Sequence, residues 1–287
     1  MSLRQHWISQ FEALDEDTVS WVVPYRYTDT GWFDFQPMGV AYPTALWNVT
    51  ADDEDWDIIQ DIRSKEAYDW RSVIPSHTKE DGGHEPPWIA YLQGDNPDYP
   101  VEILQASLAQ VYRRMEMVRQ DETDPRDNHI HWWQEHNPVT TEALIQLTLG
   151  APQMIYNGGL LLAPLRYFDA WKNRPGLPPD IAALVERVEQ KRLCVRLVNL
   201  SAIESQTLII QAGTLGEHRF TTVTFDRVTS IYPGEVAAYA APPAEVETTE
   251  QEIGEGHFEV ELPPGTQIHL DIGLERCVND PSYEFPW

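Results

Sequence analysis

Apolar positions recur with two different periods along this chain, and the change from one to the other divides it. Up to about residue 190 the apolar spacing is helical; beyond it, apolar and polar residues alternate. Residues 2–14 place Leu3, Trp7, Phe11 and Leu14 on one helical face. Residues 53–66 open with the acidic turn DDEDW, which suits the positive end of a helix dipole, and continue with Ile58, Ile59 and Ile62. The strongest pattern lies at 101–119, where Leu104, Leu108, Val111, Met115 and Val118 form one stripe behind Pro100. Residues 138–149 and 179–190 complete the helices, the last with Ile181, Leu184, Val185 and Val188 on one face. After that, RLCVRLVNLS, QTLIIQAG, HRFTTVTFDRV and HFEVELPPGTQIHLDIGL read as strands joined by turns such as LGEH and PPGT. The pattern predicts an α+β protein, with an α-helical domain over 1–190 and an antiparallel β-sandwich over 191–287.

Between the helices run long connections, 18–50, 71–100 and 150–178, rich in aromatic residues, Pro and Gly. Connections of that length carry function or hide short strands, and 18–50 is expected to contain a strand or two. Residues 241–257, with five glutamates, read as an exposed loop. The tryptophans are unevenly spread: ten of eleven fall at or before Trp171, so aromatic chemistry belongs to the first part of the chain.

Composition narrows the function. A chain of 287 residues with 42% hydrophobic residues can bury a substantial core. It has no apolar run of about eighteen residues, so no membrane span is expected. The first residues lack the apolar centre of a secretory signal, which points to a cytoplasmic protein. A net charge of −26, with four lysines, repels nucleic acid and anionic membranes and disfavours polyanionic glycans. Cys194 and Cys277 sit in strand-like segments and read as buried free thiols. No phosphate-binding glycine loop, nucleophile elbow or HExxH is present, and no cofactor is expected. Asn48 and Asn199 fall in NVT and NLS sequons, which carry little weight without a secretory signal.

Three clusters carry candidate chemistry. In DNHIHWWQEHNP, His129 and His131 lie two apart and face one side of an extended backbone, with Glu135 or His136 as a third metal ligand. The same residues read otherwise as a sugar-binding wall, in which Trp132 and Trp133 offer flat faces while Glu135, His136 and Asn137 bond hydroxyls. They also read as half-buried aromatics at a seam between helices. The expectation is no metal. The stretch DGGHEPPWIAYLQGDNPDYP repeats the mixture with His84, Glu85, Trp88, Tyr91, Asp95, Asn96 and Asp98. A third cluster, YNGGLLLAPLRYFDAW, adds Tyr156, Asn157 and Arg166. If the chain hydrolyses a glycosidic bond, Glu85 and Glu135 are the candidate carboxylates, since each sits beside Trp and His. In a lyase, His131 or His136 with Tyr156 would serve as base and acid, and Arg166 would neutralise a uronate.

The order of helices with aromatic-rich connections, then YNGGLLLAPLRYFDAWKNRPGLPPDIAALVERV, then RLCVRLVNLS, resembles the rear part of bacterial carbohydrate-active proteins that pair an (α/α)-toroid with a C-terminal β-sandwich. The resemblance covers roughly residues 84–287 and implies glycoside hydrolase- or polysaccharide lyase-like ancestry and a glycan ligand. The first 190 residues supply too few helices to close a toroid alone. The chain is thus expected to form a homo-oligomer, to meet a partner subunit that completes the helical domain, or to be a non-catalytic remnant that binds or organises glycan.

Overall fold

The structure, a computed structural model, describes residues 22–37, 39–65, 69–74, 83–129, 131–152, 162–228 and 246–287. The expected helix with Leu3, Trp7, Phe11 and Leu14, and the candidate residues Tyr156 and Asn157, lie outside the described residues. Helices lie mostly in the first part of the chain and antiparallel sheets mostly in the second. The chain divides into two compact units, 1–139 and 140–287.

The first unit opens with a hairpin of β1 (Val22–Thr28) and β2 (Gly31–Pro37), in which Tyr27 pairs with Trp32. It continues with α1 (Ala41–Thr50), α2 (Asp53–Lys65), α3 (Glu85–Leu92), α4 (Tyr99–Gln120) and the short α5 (Trp132–His136). The long connections thus hide a hairpin and two helices, α1 and α3. Both helices are largely apolar all round, so no one-sided stripe marks them in the sequence. Their tryptophans form the core of the unit: Trp47 lies 4.7 Å from Trp56 and 6.2 Å from Trp88 between ring centroids, and Trp88 is wholly buried. Ile59, Ile62, Ile89, Tyr99 and Ile103 of the same unit are buried as well. The apolar stripe of α4 does not join this core. Tyr99, Ile103 and Gln110 face inward instead, and Leu104, Leu108, Met115 and Val118 face solvent.

The second unit begins with α6 (Glu142–Leu144), which runs on as a π turn over Ile145–Leu149. Gly150 ends it at φ +69°, where a Cβ would meet Val185 at 2.9 Å, so only glycine lets this turn lie against the sheet. Two antiparallel sheets follow. One has the order β10–β7–β3–β4, the other β5–β6–β11–β8–β9. Their ranges are β3 Leu165–Asp169, β4 Arg174–Pro175, β5 Ile181–Val188, β6 Arg192–Asn199, β7 Gln206–Ala212, β8 Arg219–Val228, β9 Val246–Glu252, β10 His257–Leu262 and β11 Gln267–Glu275. Alternating Leu193, Val195 and Leu197 are fully buried, and Phe220 meets Phe258 of the other sheet at 5.2 Å.

Two expectations are corrected here. Residues 181–188 form a strand, not a helix. The pairing of β5 with β6 shifts register between Val185 and Arg187. One extra residue there returns Val188 to the inner face, so Ile181, Val185 and Val188 are all buried at a spacing that mimics a helix. Residues 246–252 form the exposed edge strand β9 rather than loop. Its glutamates face water, as charges do on edge strands, and the Thr248 hydroxyl donates to Asp226 at 2.7 Å. Both sequon asparagines are buried in the folded chain, Asn48 at 8% and Asn199 at 1% exposure.

Candidate functional site

The predicted clusters take different structural roles. His84, Glu85 and Trp88 are buried at the start of α3, where prolines in the first turn favour the helix. The Ile74 N–H donates to His84 Nε2 at 3.1 Å. Tyr91 is half-buried, its ring 6.0 Å from that of Tyr99. These residues are buried or half-buried, while the loop after them, 93–98, is exposed apart from Asn96.

The second cluster forms a short, partly exposed helix end. His129 and His131 are exposed with rings 5.1 Å apart, and the His131 N–H donates to His129 Nδ1 at 3.2 Å. Among the described residues, no group of three or more His, Cys, Asp or Glu is placed to hold a metal ion. Trp132 stacks on His136 at 4.3 Å, and its indole N–H donates to Asp121. Trp133 and Glu135 face solvent. Asn137 caps its own turn, accepting from the Val139 N–H at 3.0 Å, and its carbonyl accepts from Arg114 at 2.8 Å. Arg114 is half-buried, and burial pulls its guanidinium below the ordinary value. Arg166 belongs to the second unit, where it donates to the Thr214 carbonyl at 3.0 Å and lies over the Phe168 ring.

Asp121 anchors the Trp132 indole. Hydrogen bonds from Thr123, and then that indole, hold its carboxyl below the ordinary value. Its contribution is therefore present above the ordinary carboxylate range and is lost as pH falls through the depressed value. The indole N–H resonance of Trp132 is expected to move upfield on acidification below that range, and to sit there already at neutral pH in Asp121→Ala. A resonance insensitive to both changes would show that the bond does not form in solution.

One cavity in the first unit, about 720 Å³, gathers polar groups from three segments. Arg71 and Ser72 come from the segment before α3, Asp95, Asn96 and Asp98 from the α3–α4 loop, and Glu102 and Gln105 from α4. Its walls are tied in place. Asp69 accepts from the Arg71 N–H at 3.0 Å and from the Ser72 hydroxyl, which together lower its pKa. The buried Asn96 amide donates to the Arg71 carbonyl at 3.1 Å and the Pro87 carbonyl at 3.4 Å, pinning the loop to both neighbours. Arg63 donates to Gln93 and, at 3.0 Å, to Asp95. Asp98, Glu102 and Gln105 make no side-chain hydrogen bond among the described residues and are open to a ligand. Asp95, Asn96 and Asp98 were visible in the sequence as part of a polar cluster. Arg71, Glu102 and Gln105 were not, because they come from other segments and resemble ordinary surface charges. No residue of 127–137 lines the cavity, so it does not unite the two predicted clusters.

The chain belongs to the family described as Domain of unknown function (DUF8034), whose model matches residues 1–145. No curated protein matches it. Among solved structures it is similar to the α-L-arabinofuranosidase from Thermotoga maritima in complex with arabinose, at 17% identity and a TM-score of 0.23, over 37% of this chain and 23% of that one. The GH51 α-L-arabinofuranosidase from Thermotoga petrophila RKU-1 gives 17% identity and a TM-score of 0.23, over 35% and 21%. A further arabinofuranosidase gives 13% and 0.24, over 37% and 22%. The chain thus spans less than a quarter of these enzymes' length, and such TM-scores lie far below those of a shared fold. Among the described residues, no helix is long and apolar enough to cross a membrane.

Proposed function

We propose that the protein recognises a neutral glycan at the cavity between Arg71 and α4. The observation that supports this is a space of about 720 Å³, within the usual size of ligand pockets, whose walls are fixed by Asn96, Asp69 and Arg63 while Asp98, Glu102 and Gln105 stay open. Planar carboxylate, amide and guanidinium groups bond sugar hydroxyls well. Three carboxylates against one guanidinium, on a chain of net charge −26, favour a neutral sugar over a uronate.

Binding without hydrolysis is the reading that fits these groups. A glycosidase needs two carboxyls flanking the bond, one of them in a less polar setting. Asp98 and Glu102 are exposed and four residues apart, so they stand on one side of a helix rather than across a bound sugar. Glu85 is buried and Glu135 lies in an exposed turn outside the cavity. The finer architecture implied by the resemblance, a partial toroid followed by a sandwich, is part of the same proposal.

Calorimetric titration with a panel of neutral oligosaccharides and their uronic-acid counterparts tests the reading. A neutral oligosaccharide should bind, and Arg71→Ala and Glu102→Gln should each weaken it about tenfold, roughly 1.4 kcal/mol. Tighter binding of the uronates, no binding by any neutral sugar, or no effect of either substitution would remove the proposal.

A further inference from the structure

We infer that α4 is a dimerisation helix, which pairs antiparallel with α4 of a second copy of this chain. Val101, Leu104, Leu108, Val111, Met115 and Val118 recur at alternating steps of three and four residues, the seam of a two-helix coiled coil. In a folded monomer that seam should be covered. Here Val101 is 59% exposed, Leu108 56% and Met115 36%, with Val111 half-buried, while the helix packs on its own unit through Tyr99, Ile103 and Gln110. The helix has 22 residues, about 33 Å of length, so the seam is nearly as long as the element.

Charge identifies the occupant and its direction. The chain carries −26, which opposes self-association, but α4 itself holds two glutamates, Glu102 and Glu116, against three arginines, Arg113, Arg114 and Arg119. Contact between copies at this helix therefore avoids the general repulsion. In a parallel pair, the seam register sets Arg114 of one copy against Arg119 of the other, twice. In an antiparallel pair, Val101 layers with Val118, Leu104 with Met115 and Leu108 with Val111. That register places Arg119 beside Asp98 of the other copy at both ends. Asp98 continues the helical phase, with φ −84° and ψ −11°, and Arg119 is 66% exposed. The antiparallel pair is also isologous, so one surface serves both copies and the assembly closes at two. The inference does not rest on the glycan reading. It adds that Arg119 of the second copy stands at the rim of the cavity, which Asp98 helps to line.

Sedimentation of the full chain over roughly a hundredfold concentration range tests this. The 33.0 kDa chain should form a dimer at the upper end. Leu108→Glu, at an exposed position, should weaken the dimer at least tenfold with unchanged far-ultraviolet circular dichroism. Asp98→Arg and Arg119→Asp should each weaken it severalfold, and the two combined should restore it, because each end then regains an opposite pair. A monomer at every concentration, or a dimer indifferent to Leu108→Glu, would overturn the inference. So would a Leu108→Glu chain that melts earlier than wild type at a concentration where both are monomeric, which would mean that another segment of the same chain covers the seam. A dimer that responds to Leu108→Glu but is not restored by the charge swap would overturn the antiparallel register.

Discussion

Replacing Trp88 by alanine should cost the N-terminal unit about 3–5 kcal/mol, the usual range for truncating a fully buried tryptophan. The side chain is wholly enclosed and its ring meets Trp47, which in turn meets Trp56. One truncation therefore removes its own buried surface and its contact with Trp47, and loosens the further contact between Trp47 and Trp56. Domains are stable by only about 5–15 kcal/mol, so a loss of this size brings the unit close to unfolding. Urea titration followed by helical circular dichroism should show the midpoint of the helical transition fall sharply. Trp133→Ala is the matched control. Trp133 is 57% exposed, and its truncation should change stability by no more than about 0.5 kcal/mol. If the two substitutions cost the same, the tryptophan cluster is not the core of this unit.

That contrast bears on what the sequence could tell. Both tryptophans sit in aromatic-rich stretches with His and Glu nearby, and composition alone treats them alike. Burial separates them, because it depends on which face of α3 or α5 meets the rest of the unit. The same holds for α4. Its limits were legible from period and from Pro100, but an apolar stripe states only that a face wants cover, not what supplies it. The structure turns Tyr99, Ile103 and Gln110 inward and leaves the stripe outside apart from the half-buried Val111. The strands were legible where alternation is unbroken, as at Leu193, Val195 and Leu197. At 181–188 one inserted residue converts a period of two into a helical spacing, so the sequence there reads as a helix. The cavity was half legible. Asp95, Asn96 and Asp98 are neighbours in sequence, whereas Arg71 and Gln105 join them only through folding, and no local pattern announces that.

In the C-terminal unit, Asn199→Ala should cost about 2–4 kcal/mol from stranding several buried polar groups. Asn199 ends β6 and is 1% exposed. Its amide donates to the carbonyls of Glu204 at 2.8 Å, Leu262 at 2.9 Å and Pro263 at 3.1 Å, and its Oδ1 accepts from the Ser201 N–H at 2.9 Å. One side chain thus ties the turn after β6 to the end of β10, in the other sheet. Alanine leaves those carbonyls and one N–H without their partner where water has little access. Asn199→Asp tests the account further. It keeps the acceptor for Ser201 but sets a carboxylate against three carbonyl oxygens, so it should cost at least as much as alanine, and the difference should shrink as the carboxyl is protonated at low pH. Thermal unfolding followed at the sheet signal near 218 nm measures both. An aspartate variant as stable as wild type at neutral pH would show that the shape of the side chain suffices and that the amide hydrogens contribute nothing to joining the sheets.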